Sequence, residues 1–310
     1  MKIRDGVLLK DFMTFKIGGP AKYFVMVKNT DELKDSLKFA SDNNLSFFII
    51  GGGSNILASD KGYDGLVIKI DFQNLTVAEN LEVMEAGAGA LLSKIVDESL
   101  KYELSGLEWA AGIPGTLGGA IRGNAGAYGS NIGQIIKQVE YYNTKNKASK
   151  VLDKKDCQFT YRSSIFKKNS NLIITSAVLQ LRKDLKQTIQ SKINDILDTR
   201  AQKQPKGMPS AGSFFVNPIV KNSKLIDEFE REKSLKCQNN QLPAAWLIEK
   251  VGLKGKKIGG AMISDIHPNY FLNTGKAKAE EIEILVSLVK QQVRDKLGVQ
   301  LEEEVQYLGN

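Results

Sequence analysis

The chain has 310 residues, 42% hydrophobic and 25% charged, with two cysteines, one histidine and a net charge of +8. This is a normal globular composition with room for two domains of ordinary size. It excludes a disulfide framework and a multi-histidine metal site, and no run of 18 apolar residues offers a transmembrane helix. The start, MKIRDGVLLKDF, has no long apolar core and no small-residue cleavage site, so a reducing cytoplasm is expected rather than export. The basic balance favours acidic small molecules such as nucleotides. Lysines are scattered, with no dense basic block interleaved with aromatics, so neither nucleic-acid nor membrane binding is expected.

In chain order, residues 21–27 read as a strand. Thr30 is the expected cap of a helix with Asp31 and Glu32 in its first turn and an apolar stripe of Leu33, Leu37 and Ala40. Phe47–Ile50 is a short buried strand feeding a bare loop, Gly51-Gly52-Gly53-Ser54-Asn55. Strands are expected at 65–70 and 81–85, and a helix through Leu92, Ile95, Val96 and Leu100. Residues 106–129, GLEWAAGIPGTLGGAIRGNAGAYG, hold eight glycines and five alanines. Beyond them, 139–143 and 172–181 read as strands, the second a long apolar run suited to the centre of a sheet. Ile189, Ile193, Ile196 and Leu197 share one face of a helix ending near Arg200. A boundary is expected at 204–212, where two prolines and two glycines fall in nine residues. A short helix near 244–251 and a long one over 278–297 follow. The long helix has Ile282, Leu285, Val286, Val289 and Val293 on its apolar face and Gly298 as its C-cap. A strand at 299–307 closes the chain.

The two glycine-rich segments let backbone N–H groups approach a ligand where a side chain would block them, as an anionic cofactor with a diphosphate requires. Tight turns and a crossover are the alternative reading. The dinucleotide fingerprint is absent after the first strand, and Ala86–Ala90 only imitates it, so an ordinary Rossmann site is not expected. Three single positions stand out. Arg162, among aromatics, can clamp a carboxylate or phosphate, or form a surface ion pair. Ser213 follows small residues and precedes two phenylalanines, as an accessible hydroxyl or a turn serine. Glu304 belongs to LEEEV; in a strand it shares a face with Glu302, or the run is a solvated acidic terminus. His267, in DIHPNYF, reads as a half-exposed loop residue, and Cys157 as a small buried hydrophobe.

Seven motifs in order, FKIGGPA (15–21), IGGGSNIL (50–57), the 106–129 stretch, YRSSIF (161–166), PSAGSFFVNP (209–218), a degenerate GGAMISDIHPNYFLN (259–273) and LEEEV (301–305), strongly resemble the UDP-N-acetylenolpyruvoylglucosamine reductases. The resemblance implies an α+β fold: a two-part FAD-binding module of the vanillyl-alcohol-oxidase-like type, followed by a smaller α+β substrate domain. It implies a module at 1–184 split near 58–70, a linking helix at 185–204, a substrate domain at 205–298, and a terminal strand at 299–310 carrying Glu304. It also implies reduction of an enolpyruvyl ether of a UDP-sugar, in peptidoglycan precursor synthesis, with NADPH as hydride donor, ping-pong order and a monomeric enzyme.

By the same resemblance Arg162, Ser213 and Glu304 are the catalytic residues. Arg162 stabilises an enolate, Ser213 donates the proton, and Glu304 is either protonated or orients Arg162. Cofactor contacts are implied for Gly51, Gly52, Gly53, Ser54, Asn55, Ile56 and Leu57, and for Gly112, Ile113, Pro114, Gly115, Thr116, Gly118, Gly119, Ala120, Asn124, Ala125, Gly126 and Ala127, with Asn55 and Asn124 using their side chains. Tyr161, Lys203, Asn217 and Asn269 are implied for the substrate. The FAD is expected to be non-covalent, since the only histidine lies in the other domain. Two departures matter. Ser213 comes only 51 residues after Arg162, which matches the shorter subgroup without a tyrosine-bearing loop, and Val216 stands where the family often has a basic residue. Three alternatives remain open: another FAD oxidoreductase acting on a sugar or alcohol, a sensor that binds without consuming NADPH, and a basic nucleotide-binding protein without flavin.

Overall fold

Strand Tyr63–Ile70 organises the first sheet, running parallel to both Pro20–Val27 and Phe47–Ile50 in the order Arg4–Leu8, Pro20–Val27, Tyr63–Ile70, Phe47–Ile50. The computed structural model describes residues 1–78, 80 and 82–309. Helix Thr30–Asp42 connects Pro20–Val27 to Phe47–Ile50 and buries Leu33, Ser36 and Ala40. Its cap is Asn29, not Thr30. Asn29 has extended backbone and its Oδ1 accepts from Glu32 N at 2.9 Å, whereas Thr30 has already entered the helix.

A second sheet is antiparallel throughout, in the order Ala148–Asp153, Ile136–Asn143, Leu172–Gln180, Val83–Gly87, Leu75–Ala78. The apolar run at 172–180 takes its centre. The strand expected at 81–85 spans Val83–Gly87, and Leu81 lies outside the described residues. Helix Leu92–Lys101 buries Leu92, Ile95, Val96 and Ser99, a single face at helical spacing. Helix Lys186–Lys203 inserts Ile189 and Ile193 into the same core.

The contacts divide the chain into two units: Met1–Val7, Ala21–Gly53 and Tyr63–Gln202 form the first, and Leu8–Pro20, Ser54–Gly62 and Lys203–Asn310 the second. The division is therefore not the contiguous one drawn from the sequence. The helix expected as a linker belongs to the first unit as far as Gln202. Two short early segments belong with the C-terminal third, because Phe15, Ile17 and Leu57 are buried in its core.

The second unit holds a three-stranded antiparallel sheet, Lys257–Ile258, Ala261–Ile263 and Phe271–Asn273. Helix Ala279–Leu297 buries Ile282, Leu285, Val286, Val289 and Val293 and ends at Gly298 with φ 67°. The terminal strand is only Gln306–Leu308, shorter than expected, because its parallel partner Ile56–Ala58 is three residues long. No helix among the described residues is long and apolar enough to cross a membrane, and these residues contain no cluster of metal-ligating side chains.

Candidate functional site

In the first unit the two glycine-rich loops touch. A Cβ on Gly51 would collide with Thr116 Oγ1, and one on Gly52 would lie 2.8 Å from the Gly115 Cα. Only glycine permits that backbone approach. Thr116 precedes helix Leu117–Gly123 without capping it, is 2% exposed, and its buried Oγ1 has no hydrogen-bond partner. An unsatisfied buried hydroxyl costs about 1–3 kcal/mol and calls for a partner. Lys69 Nζ donates to Gly51 O at 2.9 Å, and burial lowers its pKa. Burial also lowers the pKa of Arg122. Arg200 lies against Gly112, stacks over the Tyr128 ring at 5.4 Å, and keeps a buried Nε without a partner. None of Lys69, Arg122 and Arg200 forms an ion pair among the described residues. Bare backbone, an orphaned hydroxyl and cations without carboxylates fit a diphosphate-bearing cofactor. Lys69 and Arg200 went unread in the sequence, although a lysine inside the apolar strand GLVIKI was a usable signal.

Other loop residues play structural parts. Gly118 packs on Ala88 and donates its N–H to Ala88 O at 2.9 Å. Ala120 is buried, whereas Gly112, Pro114 and Gly119 are exposed and Ile113 is half-buried. Ala125 N donates to Ala120 O, and Gly126 and Ala127 pair with Asn131 and Ser130 in a hairpin. The chain leaves the first unit at Gly53, so Ser54 to Leu57 lie in the second. Ile56 and Leu57 are buried there in the ladder with Gln306 and Tyr307.

Arg162 sits on a tight turn closed by paired backbone hydrogen bonds between Thr160 and Ser163. Its φ is +53°, a left-handed conformation that costs a non-glycine residue about 1–2 kcal/mol. Ties to the glycine-rich stretch hold the turn. Asn124 Nδ2 donates to Thr160 O at 2.8 Å, the Arg162 guanidinium to Gly126 O at 2.9 Å, and Ser164 Oγ to Arg122 O at 2.8 Å. Asn124 Oδ1 accepts from Gly133 N, so this side chain braces the turn. Tyr161 is 47% exposed, with the Arg162 guanidinium over its ring at 5.1 Å.

In the second unit, the segments bearing Ser213 and Glu304 are joined through backbone groups next to Ser213. Glu304 N donates to Phe214 O at 2.8 Å, Val216 N donates to Glu302 O at 3.0 Å, and Phe215 bridges Glu303. Among the three glutamates, Glu303 binds Lys290 at 2.7 Å and Glu302 is exposed. Burial, reinforced by Glu303, pushes the Tyr307 phenol well above its ordinary range. Asn55 Nδ2 donates to Glu304 O at 3.1 Å, which ties this loop to the catalytic candidate. Asn217 Oδ1 accepts from Ala244 N at the start of helix Ala244–Lys250. Asn269 is buried against Phe215, and Lys203 is exposed. His267 packs edge-on to Tyr270 at 4.9 Å, with Nδ1 buried and unpartnered and its pKa lowered by burial. Cys157 is buried, its thiol pushed up to about 11 by burial.

Known proteins match the chain along almost its whole length. Residues 21–151 match the family model of an FAD binding domain, and 204–308 that of the UDP-N-acetylenolpyruvoylglucosamine reductase C-terminal domain. The reductase of Clostridium novyi is 36% identical over 99% of this chain and 92% of its own length. That of Caldicellulosiruptor bescii is 38% identical over 97% of this chain and 89% of its own. The crystal structure of the Thermus caldophilus enzyme superposes with a TM-score of 0.79 at 31% identity, covering 99% of this chain and 100% of that one. With near-complete coverage at this identity, the chain belongs to the UDP-N-acetylenolpyruvoylglucosamine reductase family.

Proposed function

We propose that this chain carries out NADPH-dependent reduction of the enolpyruvyl group of UDP-N-acetylglucosamine enolpyruvate, giving UDP-N-acetylmuramate for peptidoglycan synthesis. Family membership supports the reaction, and one observation supports its execution: the segments bearing Ser213 and Glu304 are hydrogen-bonded to each other. Gly51, Gly52, Gly115 and Thr116 would hold the diphosphate of FAD, which when bound would supply hydride derived from NADPH to the terminal methylene carbon of the substrate.

That addition leaves negative charge on the neighbouring carbon and its carboxylate. Arg162 provides a permanent cation whose planar fork matches a carboxylate, and its turn is braced before substrate arrives. Ser213 gives its hydroxyl proton to the carbon, and solvent returns one to the serine. A hydroxyl is a weak acid, so the transfer needs a strongly basic enolate held in contact. By family membership Glu304 is the carboxyl that would border this enolate, protonated so that it donates a hydrogen bond. We place the enzyme in the cytoplasm as a monomer that takes a small-molecule substrate.

A visible spectrum of the purified protein tests the reading. Flavin bands should bleach with NADPH in the absence of oxygen and recover on adding the enolpyruvyl sugar nucleotide. A colourless protein that takes up no FAD would overturn it. Acid precipitation should release all flavin, because the chain's one histidine, His267, belongs to the second unit and the glycine-rich loops to the first; flavin retained on the precipitated chain would refute non-covalent binding.

A further inference from the structure

Asn269 is 3% exposed, and its side chain makes a matched pair of bonds to one residue. Its Oδ1 accepts from Phe215 N at 2.9 Å and its Nδ2 donates to Phe215 O at 2.8 Å. The backbone N–H can only donate and the carbonyl only accept, so the partners fix the orientation of the carboxamide. Asn269 O also accepts from Phe214 N at 2.7 Å, and Ser213 bridges Tyr270. One residue thus occupies both amides that follow Ser213. On the opposite edge the same segment meets Glu302, Glu303 and Glu304. Residues 213–216 lie between the Asn269 side and the Glu304 side, joined to each by isolated β-bridges.

We propose that Asn269 is a positioning residue: its carboxamide replaces a neighbouring strand and sets the register of Ser213 against Glu304. The inference rests on the reading of Ser213 as the proton donor. No other side chain of this size meets the requirement. Aspartate would oppose an acceptor to the Phe215 carbonyl, and leucine would leave both backbone groups orphaned. Register matters because misplacing a catalytic hydroxyl by about 1 Å can cost about 100-fold in rate.

The test is anaerobic stopped-flow of the FAD-loaded enzyme, following bleaching by NADPH and recovery with the enolpyruvyl substrate separately. Asn269→Ala should slow the maximal recovery rate by about 10- to 100-fold, leaving bleaching and the half-saturating substrate concentration within about twofold. The double variant Asn269→Ala/Ser213→Ala should be no slower than Ser213→Ala, since a positioning residue has nothing left to position. Asn273 is a matched control. It is 4% exposed, and its carboxamide holds Phe15 O and the amides of Gly275 and Ala277 instead of the Ser213 segment. Asn273→Ala should lose stability without slowing recovery beyond about twofold.

Recovery at the wild-type rate in Asn269→Ala, or a double variant slowed by the full product of both factors, would overturn the proposal. If Asn269→Ala does not fold, Asn269→Asp, which keeps the acceptor for Phe215 N, must show the same slowed recovery or the proposal falls. Full recovery in Ser213→Ala would instead remove the serine reading, a separate failure.

Discussion

The turn bearing Arg162 and the segment bearing Ser213 are held by different means. The turn is partly exposed, adopts a left-handed φ, and depends on side-chain ties to the glycine-rich stretch. The segment is anchored by Phe214 and Phe215, each 1% exposed, which pack with Phe271 at 4.8 and 5.9 Å. An arginine that must wrap a ligand's carboxylate can sit on a locally braced loop. A serine that must present one proton at one carbon is set into a core. Removing the Arg162 fork should therefore cost rate with little stability, and removing the aromatic anchor of the Ser213 segment should cost several times more stability.

Four measurements can break or sharpen that contrast. Phe214→Ala should cost about 3–5 kcal/mol in denaturant unfolding; a loss under about 1 kcal/mol would show that the segment is not core-anchored. Arg162→Lys should lower substrate reduction by about 10²–10³-fold, since a point charge cannot replace the fork, with NADPH bleaching spared. Equal damage to both half-reactions, or a stability loss like that of Phe214→Ala, would erase the distinction. Asn124→Ala should slow substrate reduction about tenfold while global stability falls by about 1–3 kcal/mol, the cost of orphaning Gly133 N and removing one of the two donors to Thr160 O; unchanged turnover would mean the turn keeps its shape without this brace.

The smallest effect concerns His267. Its pKa is lowered on folding, so below the ordinary value of 6.5 the unfolded chain binds more protons than the folded one. Stability is thus fully present above that value and declines as pH falls toward the folded pKa, by at most about 1.4 kcal/mol per pH unit. His267→Phe should flatten that part of the stability curve, and an unaltered slope would assign it to other groups.

Much of this was legible in the sequence where the signal is local. Phe47–Ile50 stands out as an apolar run before three glycines, and the long helix shows its apolar face and Gly298 stop. Helix Ser223–Lys233 was overlooked although Asn222 caps it and Leu225 and Phe229 lie four apart. Other features depend on partners far along the chain. The terminal strand is short because Ile56–Ala58 is its template. Asn55, Asn124, Asn217 and Asn269 look like ligand residues in sequence, yet each gives its side chain to distant backbone. Nothing in the local pattern distinguishes an asparagine that meets a ligand from one that braces a loop.

The divided second unit has a consequence for synthesis. Phe15, Ile17 and Leu57 share a core with residues of the final third of the chain. At about 5–20 residues per second, these side chains leave the ribosome roughly ten seconds or more before helix Ala279–Leu297 exists to cover them. The first unit's sheets can form meanwhile, but the early segments must wait as exposed apolar surface. Chaperone occupancy on nascent chains should therefore persist until the last helix emerges, and excising residues 203–310 as an independent domain would remove part of its own interior.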